Sequence, residues 1–154
     1  MTRILVVSDS HGDEWKLRAA LQKEPTAKII FHLGDGAREA ESISRLNSTK
    51  FFHTVCGNCD WGSNLPESVI DEIEGKRIYA CHGHAHLVKY GISDLLSAAK
   101  AQNCSIALYG HTHTPDTKYE DGVLLFNPGS IREGNFGIID IAKNGILPVL
   151  RRLD

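Results

Sequence analysis

The sequence predicts an α/β fold: one mixed β-sheet, or two stacked sheets, with helices outside. Two observations carry that expectation. Through the first third, short β-branched runs alternate with segments of helical periodicity, the pattern of parallel strands joined by crossover helices. Beyond residue 68, strand-like runs come in pairs around glycine-containing turns, the pattern of hairpins. The 154 residues, 42% hydrophobic and 23% charged, suit one continuous core, so a single domain spanning 1–154 is expected.

Each element has its own signal. Arg3 to Val7 is a β-branched run of the kind that forms a buried strand. Asp13 to Lys23 reads as a helix, N-capped by Asp13 and ended by Pro25. Lys28 to His32 is a second strand. Ala37, Ala40, Ile43 and Leu46 recur every three residues and give a helix with one apolar face. Lys50 to Val55 completes a β-α-β-α-β unit. Ser68 to Glu74 and Arg77 to Cys81 flank Gly75-Lys76 as a first hairpin. Ile92 to Gln102 is a helix with Ser93 as its cap, followed by a strand from Ser105 to Tyr109. Two further hairpins turn at Asp121-Gly122, between Thr117–Glu120 and Val123–Phe126, and at Asn144-Gly145, between Phe136–Ile141 and Ile146–Leu150.

Composition excludes several functions. No apolar run approaches the ~18 residues that cross a bilayer, and Ile4 to Val7 is too short for a signal-peptide core. Seventeen basic against 19 acidic residues leave a net charge of −2, without the electrostatic footprint of a nucleic-acid binder. A cytoplasmic location is expected. The four cysteines, Cys56, Cys59, Cys81 and Cys104, then read as reduced thiols rather than a disulfide framework. Cys56 and Cys59 have the spacing of a zinc knuckle. A second close pair is missing, since Cys81 and Cys104 are far apart, and no helix starts after Cys56 as a thiol redox motif would require.

Histidine is the informative residue. Eight are present, and random placement would give about 0.4 His-x-His pairs. The chain has His82/His84, His84/His86 and His111/His113. On an extended segment this spacing puts both imidazoles on one side, ready for a metal. The polar residues able to bind metal all follow predicted strands: Asp9-Ser10-His11, Gly34-Asp35, Gly57-Asn58-Cys59-Asp60, His82-Gly83-His84 and Gly110-His111-Thr112-His113. In α/β folds the carboxyl ends of the strands form the ligand crevice. Any one of these segments also fits a turn, a helix cap or a hydrogen-bonded loop histidine. Five unrelated turns would not share one placement. His32 and His53, by contrast, lie within predicted strands and read as core or sheet-face residues. Asn127-Pro128-Gly129-Ser130 reads as a turn shaping the site, and Arg132 as a surface cation. Trp15 and Trp61 read as core or cleft walls, and Trp61, just beyond Asn58, could alternatively stack on an aryl or nucleoside group.

In that order the five segments resemble the calcineurin-like metallophosphoesterase superfamily. The short chain and the Asn127–Ser130 turn are similar to its small YfcE-like phosphodiesterase branch. The resemblance runs from Ile4 to about Ile141 and implies two mixed sheets packed together and flanked by helices. It implies that Asp9, His11 and His113 hold one divalent ion, that Asn58, His82 and His111 hold a second, and that Asp35 bridges both. Such nitrogen and oxygen donors suit Mn²⁺, with Fe, Ni²⁺ or Zn²⁺ as alternatives. The implied activity is hydrolysis of a small phosphodiester by a metal-bridging hydroxide.

One position departs from the family pattern. Many members have a histidine where this chain has Cys59, and that histidine assists the leaving group. A thiol is a poorer hydrogen-bond donor, and Asp60, which would orient such a histidine, loses that task. His84 or a metal-bound water is the substitute. The alternatives are a phosphomonoesterase or nucleotidase, and a non-catalytic scaffold, because the superfamily includes a retromer subunit that serves as an interaction platform. The intact ligand set favours the enzyme. A homo-oligomer is compatible with the sequence, and no basic or aromatic track for a nucleic-acid polymer is visible.

Overall fold

The computed structural model describes residues 1–154. Ten strands and three α-helices follow in the order β1 (Thr2–Val7), α1 (Glu14–Lys23), β2 (Ile29–His32), α2 (Ala37–Leu46), β3 (Phe51–Thr54), β4 (Ser68–Ile73), β5 (Lys76–Cys81), α3 (Ser93–Ala101), β6 (Ile106–Leu108), β7 (Asp116–Glu120), β8 (Val123–Asn127), β9 (Asn135–Ala142) and β10 (Gly145–Arg152). They form two five-stranded mixed sheets, β10-β9-β1-β2-β3 and β4-β5-β6-β8-β7. In the first, β1, β2 and β3 run parallel and β9 returns antiparallel to β1. In the second, β5, β6 and β8 run parallel, with β4 and β7 antiparallel at the edges.

The side-chain alternation of the central strands explains the layering. Ile4 and Val6 of β1 join Phe31, Ile78, Ile106, Leu124 and Phe126 in a core between the two sheets. Leu5 and Val7 point the other way, onto Leu17 and Leu21 of α1 and Ile43 of α2. In the second sheet, Ala107 and Leu125 turn outward onto Leu95, Leu96 and Ala99 of α3. A strand buried on both faces cannot alternate with polar residues, which is why β1 and β8 read as unbroken apolar runs. Each large side chain buried here contributes roughly 1.5–3 kcal/mol.

The helices follow their local signals, with two corrections. Asp13 caps α1 as expected, its carboxylate accepting from the Lys16 amide at 3.0 Å. Ser93, expected as the cap of α3, is instead its first residue, and Ile92 precedes it without a side-chain cap. The three-residue repeat in α2 also overruns its buried face. At 3.6 residues per turn a strict i+3 spacing drifts by ~60° per step, so Ala40 and Ile43 are buried while Leu46 is 68% exposed.

Two hairpin turns lie one residue earlier than expected. Ile73 pairs with Lys76, so the first turn is Glu74-Gly75, both in the left-handed region at φ 51° and 77°. That is the primed geometry whose twist matches the strands. Gly145 pairs with Ala142, making Lys143-Asn144 the last turn. Asp121-Gly122 turns where expected, at φ 51° and 77°. No helix is long and apolar enough to cross a membrane. All four cysteines are free.

Candidate metal centre

The carboxyl ends of β1, β2, β5 and β6 meet where the two sheets abut, and backbone hydrogen bonds lock their loops together. The Asp9 amide donates to Gly34 O and the His11 amide to Asp35 O, each at 2.9 Å. Within the second sheet, the Gly110 amide donates to His82 O at 2.9 Å. The His111 amide reaches Asp9 Oδ2 at 3.0 Å. Asp9, His11, Asp35, His111 and His113 all have positive φ, between 44° and 70°. That conformation costs about 1–3 kcal/mol per residue and persists only where the surroundings impose it. Close approach also requires glycine: a Cβ on Gly57 would run into Asp35 Oδ1, and one on Gly110 into Ser8 Oγ.

Two groups of three donors that share no residue result. Asp9, His11 and His113 form one, and Asp35, His82 and His111 the other. Asp9 and His82 are fully buried. Asp9 Oδ2 is occupied by Ser8 Oγ at 2.5 Å and by the His111 amide. Its other oxygen, Oδ1, is buried without a hydrogen-bond partner. That oxygen lies 3.2 Å from His113 Nε2, 3.4 Å from His11 Nε2 and 3.9 Å from His82 Nε2. An orphaned buried carboxylate oxygen costs on the order of 1–3 kcal/mol or more unless something positive sits against it.

Asp35 stands between the groups. Its Oδ1 accepts from the Cys59 amide at 2.8 Å, while Oδ2 lies 3.3 Å from His82 Nε2 and 3.8 Å from His11 Nε2. His82 Nδ1 lies 2.6 Å from Leu33 O, which can only accept, so the Nδ1 proton is fixed and Nε2 faces the donors. His82 Nε2 is also 3.2 Å from His111 Nδ1. Two ring nitrogens and two carboxylates converging on one space are donors that a cation would satisfy. Burial depresses His82, but Asp35, Asp9 and the Leu33 carbonyl more than offset it and raise its pKa. Burial raises Asp35, yet His82, the Cys59 amide and His11 hold it well below the ordinary carboxylate range. Burial, with the neighbouring His82, brings His111 down to about 4, leaving a neutral ring suited to coordination. The donor set therefore fits two divalent ions.

The remaining expected residues sit around these groups. Asn58 is exposed, its amide directed at Cys59 Sγ, 3.5 Å away. Cys59 is exposed beside Asp35, and burial together with the Asp35 charge pushes its thiol pKa up. It is therefore a poor proton donor. The ring of His84 is centred 5.4 Å from that of His82 and 6.2 Å from that of His111. Its Nδ1 is buried and unpartnered, and burial with the His82 charge lowers its pKa.

Asp60, left without a histidine to orient, binds backbone instead. Its Oδ2 accepts from the amides of Asp35 and Gly57 at 2.8 Å, and its Oδ1 from those of Gly36 and Ala37 at 3.0 Å. All its acceptor capacity faces backbone, so it positions the Asp35 and Gly57 loops and caps α2 from outside. The Asn127–Ser130 turn shapes the site as expected: Asn127 Nδ2 donates to Gly110 O and Thr112 Oγ1, and Ser130 Oγ to Asp9 O.

Sequence reasoning missed one network. The Gly34 amide donates to His32 Nδ1 at 3.2 Å, which leaves His32 Nε2–H to donate to Ser10 Oγ at 2.9 Å. Ser10 Oγ–H then donates to Glu39 Oε2, which also takes the Gly12 amide, both at 2.8 Å. His32 is the core histidine expected, but it also ties the Asp9–His11 and Gly34–Asp35 loops together.

Comparison with known proteins accords with this geometry. The family model for the calcineurin-like phosphoesterase superfamily domain matches residues 2–142. The phosphodiesterase YfcE of Escherichia coli is 26% identical over 178 aligned positions, covering 97% of this chain and 92% of that protein. A conserved Streptococcus pneumoniae TIGR4 protein, described as a predicted phosphoesterase, superposes with a TM-score of 0.86 at 25% identity, covering 99% of this chain and 90% of the other. Vps29 from Chaetomium thermophilum superposes with a TM-score of 0.77 at 16% identity over the whole of both chains, a likeness of fold alone.

Proposed function

Because the chain belongs to the calcineurin-like phosphoesterase superfamily, we propose that it is a dinuclear metal phosphodiesterase acting on a small molecule. The observation that carries this reading is the pair of three-donor groups with Asp35 between them, facing the unpartnered Asp9 Oδ1. Asp9, His11 and His113 would hold one ion and Asn58, His82 and His111 the other, with Asp35 shared. Bound there, two divalent cations supply an acidified water as nucleophile and neutralise charge on the phosphate. Manganese is the first metal to test, followed by iron, nickel and zinc. Two dications against the Asp9 and Asp35 carboxylates leave a net positive surface that attracts a phosphate anion.

The chain's own groups set the remaining chemistry. A groove of about 1140 Å³ leads away from His11, Asp35 and Cys59 along Arg38 and Trp61. Trp61 is 89% exposed and free to stack on an aryl or nucleobase ester group, while a second cleft brings Arg132 beside His11 and His113. The preference for a diester is drawn from the YfcE likeness; monoester hydrolysis is its competitor. A scaffold role would not require that buried donors converge at the cost of five strained residues. Four free cysteines suit a reducing cytoplasm.

Protein stripped of metal is expected to be inactive on bis-p-nitrophenyl phosphate and to regain turnover with Mn²⁺. The monoester p-nitrophenyl phosphate, run in parallel, separates the two substrate classes by kcat/KM. Folded protein that stays silent with every one of the four metals would sink the enzyme reading and leave the scaffold.

His84 receives the leaving-group task in this proposal. With its pKa lowered, the ring is neutral and orders a proton-donating water rather than releasing a proton itself. His84→Ala should slow hydrolysis of an alkyl diester roughly tenfold, less than the 10²–10⁴ of a well-matched general acid. Bis-p-nitrophenyl phosphate, whose leaving group needs no proton, should be little affected. Unchanged turnover of the alkyl diester would remove His84 from the mechanism.

A further inference from the structure

The groove that opens beside His11 and Asp35 is far larger than a phosphodiester linkage needs. At about 1140 Å³ it stands at the upper end of pockets that enclose drug-sized ligands, roughly 300–1,000 Å³, so it has room for a substantial ester group. It runs between α2 and the loop of residues 59–65 and reaches β3 and β4 at Phe52, His53 and Val69. Most charges in its walls are engaged within the protein. Glu41 pairs with Arg45 at 2.7 Å, Glu39 accepts from Ser10 Oγ and the Gly12 amide, and Asp60 accepts from four amides. Arg38 is exposed on the groove with no carboxylate against it, free to take an anion.

His53 adds a group that the hydrolytic site does not use. Its ring is stacked on Phe31, centroids 4.7 Å apart, with Phe51 edge-on at 4.8 Å. Nε2 lies 2.8 Å from Asp71 Oδ2, an acceptor, which places the proton of the neutral ring there and leaves Nδ1 as a hydrogen-bond acceptor. Nδ1 has no partner in the protein and is not among its buried unpartnered atoms, so it is accessible, and the ring lines the groove. A ring clamped by two aromatics and a carboxylate has little freedom left to lose when a ligand binds. Trp61, 89% exposed on the same groove, offers a flat apolar face.

We propose that the groove is a nucleoside subsite, in which a base stacks on Trp61 and donates an N–H to His53 Nδ1 while Arg38 takes the negative charge of the nucleotide. The inference rests on the dinuclear reading above and specifies its substrate as a nucleotide diester. A plain aryl group would use Trp61 and leave His53 Nδ1 without a donor. An acyl or polyol group would leave Trp61 unstacked. A group that is flat, carries an N–H on its edge and is joined to a phosphate uses all three side chains.

The test compares three diesters that share one leaving group, p-nitrophenolate, so that the bond broken is the same: the methyl, phenyl and 5′-adenosyl esters of p-nitrophenyl phosphate, each with Mn²⁺-loaded protein. A ratio of kcat/KM between two of them cancels metal content and folded fraction. Native protein is expected to favour the adenosyl ester over the methyl about a hundredfold and over the phenyl about tenfold, the sizes of a stacked base and of one added hydrogen bond. Trp61→Ala should lower the adenosyl-to-methyl ratio roughly tenfold. His53→Phe, which keeps an aromatic ring between Phe31 and Phe51, should bring the adenosyl-to-phenyl ratio close to one. Binding is read separately by fluorescence. The chain has two tryptophans, so Trp15→Phe leaves Trp61 as the reporter. In Zn²⁺-loaded protein, adenosine 5′-monophosphate should quench it saturably, and ribose 5-phosphate, the same anion without a base, should not. An adenosyl-to-phenyl ratio near one in native protein would overturn the nucleoside assignment and leave the dinuclear reading intact, as would a preference that survives both substitutions. No turnover of any of the three diesters would overturn the enzyme reading, and quenching would then decide the groove alone, its absence overturning the subsite.

Discussion

Asp35→Asn should lower kcat/KM on bis-p-nitrophenyl phosphate about a thousandfold, roughly 4 kcal/mol of transition-state stabilisation, without unfolding the protein. The two halves of this expectation have separate causes. Asp35 Oδ2 is the atom between His82 Nε2 and His11 Nε2, so its charge is what two neighbouring cations would share. An amide in its place has no charge to share. Its oxygen can still accept from the Cys59 amide, as Asp35 Oδ1 does now. Its NH₂ would donate to His82 Nε2, whose lone pair is left free because Leu33 O holds the proton on Nδ1. The metal-free variant is therefore expected to unfold within about 1 kcal/mol of the native protein, as most substitutions with satisfied partners do. Metal content, measured after loading and gel filtration, should fall from two ions per chain. Retained activity with retained metal would show that Asp35 does not bridge, and the dinuclear assignment would fail. A large loss of stability in the metal-free state would mean that the carboxylate acts structurally.

How much of this could be read before folding depends on whether a feature is local. The central strands were legible because Leu5 and Val7 are buried against helices while Ile4 and Val6 are buried between sheets, so both faces demand apolar residues. The donors were legible because each follows a strand, and Gly34, Gly57 and Gly110 beside them let backbone close on the site. Sheet membership was not. A hairpin such as β9–β10 announces itself, but its docking antiparallel to β1, with Ile4 opposite Ile139, is decided by tertiary packing. The choice between one sheet and two came only with the family resemblance. Turn positions were misplaced at Glu74-Gly75 and Lys143-Asn144 because glycine may occupy either turn residue or the first strand position. Hydrogen-bond partners far along the chain were invisible: nothing near Ser10 in sequence names His32 or Glu39.

Asp60 is the residue whose role changed most on folding, and Asp60→Asn tests the new one. One carboxylate ties four amides from two loops, Asp35, Gly36 and Ala37 on one and Gly57 on the other. It supplies the N-terminal cap that Gly36 lacks, and its charge opposes the positive end of the α2 dipole. An asparagine keeps one accepting oxygen but turns an NH₂ toward two amide donors that then have no acceptor. Hydrogen bonds to a charged group contribute about 1.5–3 kcal/mol each. Because Asp60 is half-buried, water compensates in part, and the expected destabilisation is on the order of 2–4 kcal/mol. The larger consequence is functional. Gly57 packs so closely on Asp35 that a shift of either loop moves the carboxylate between the two donor groups. Metal affinity should fall roughly 10–100-fold, as for other partners that orient a ligand. The discriminating experiment is titration with Mn²⁺ well below the variant's unfolding temperature. If Asp60 positions the ligands, saturating metal restores most of the turnover, so the defect lies in affinity rather than in kcat. A variant that binds metal normally yet turns over slowly would place Asp60 in contact with the reacting groups.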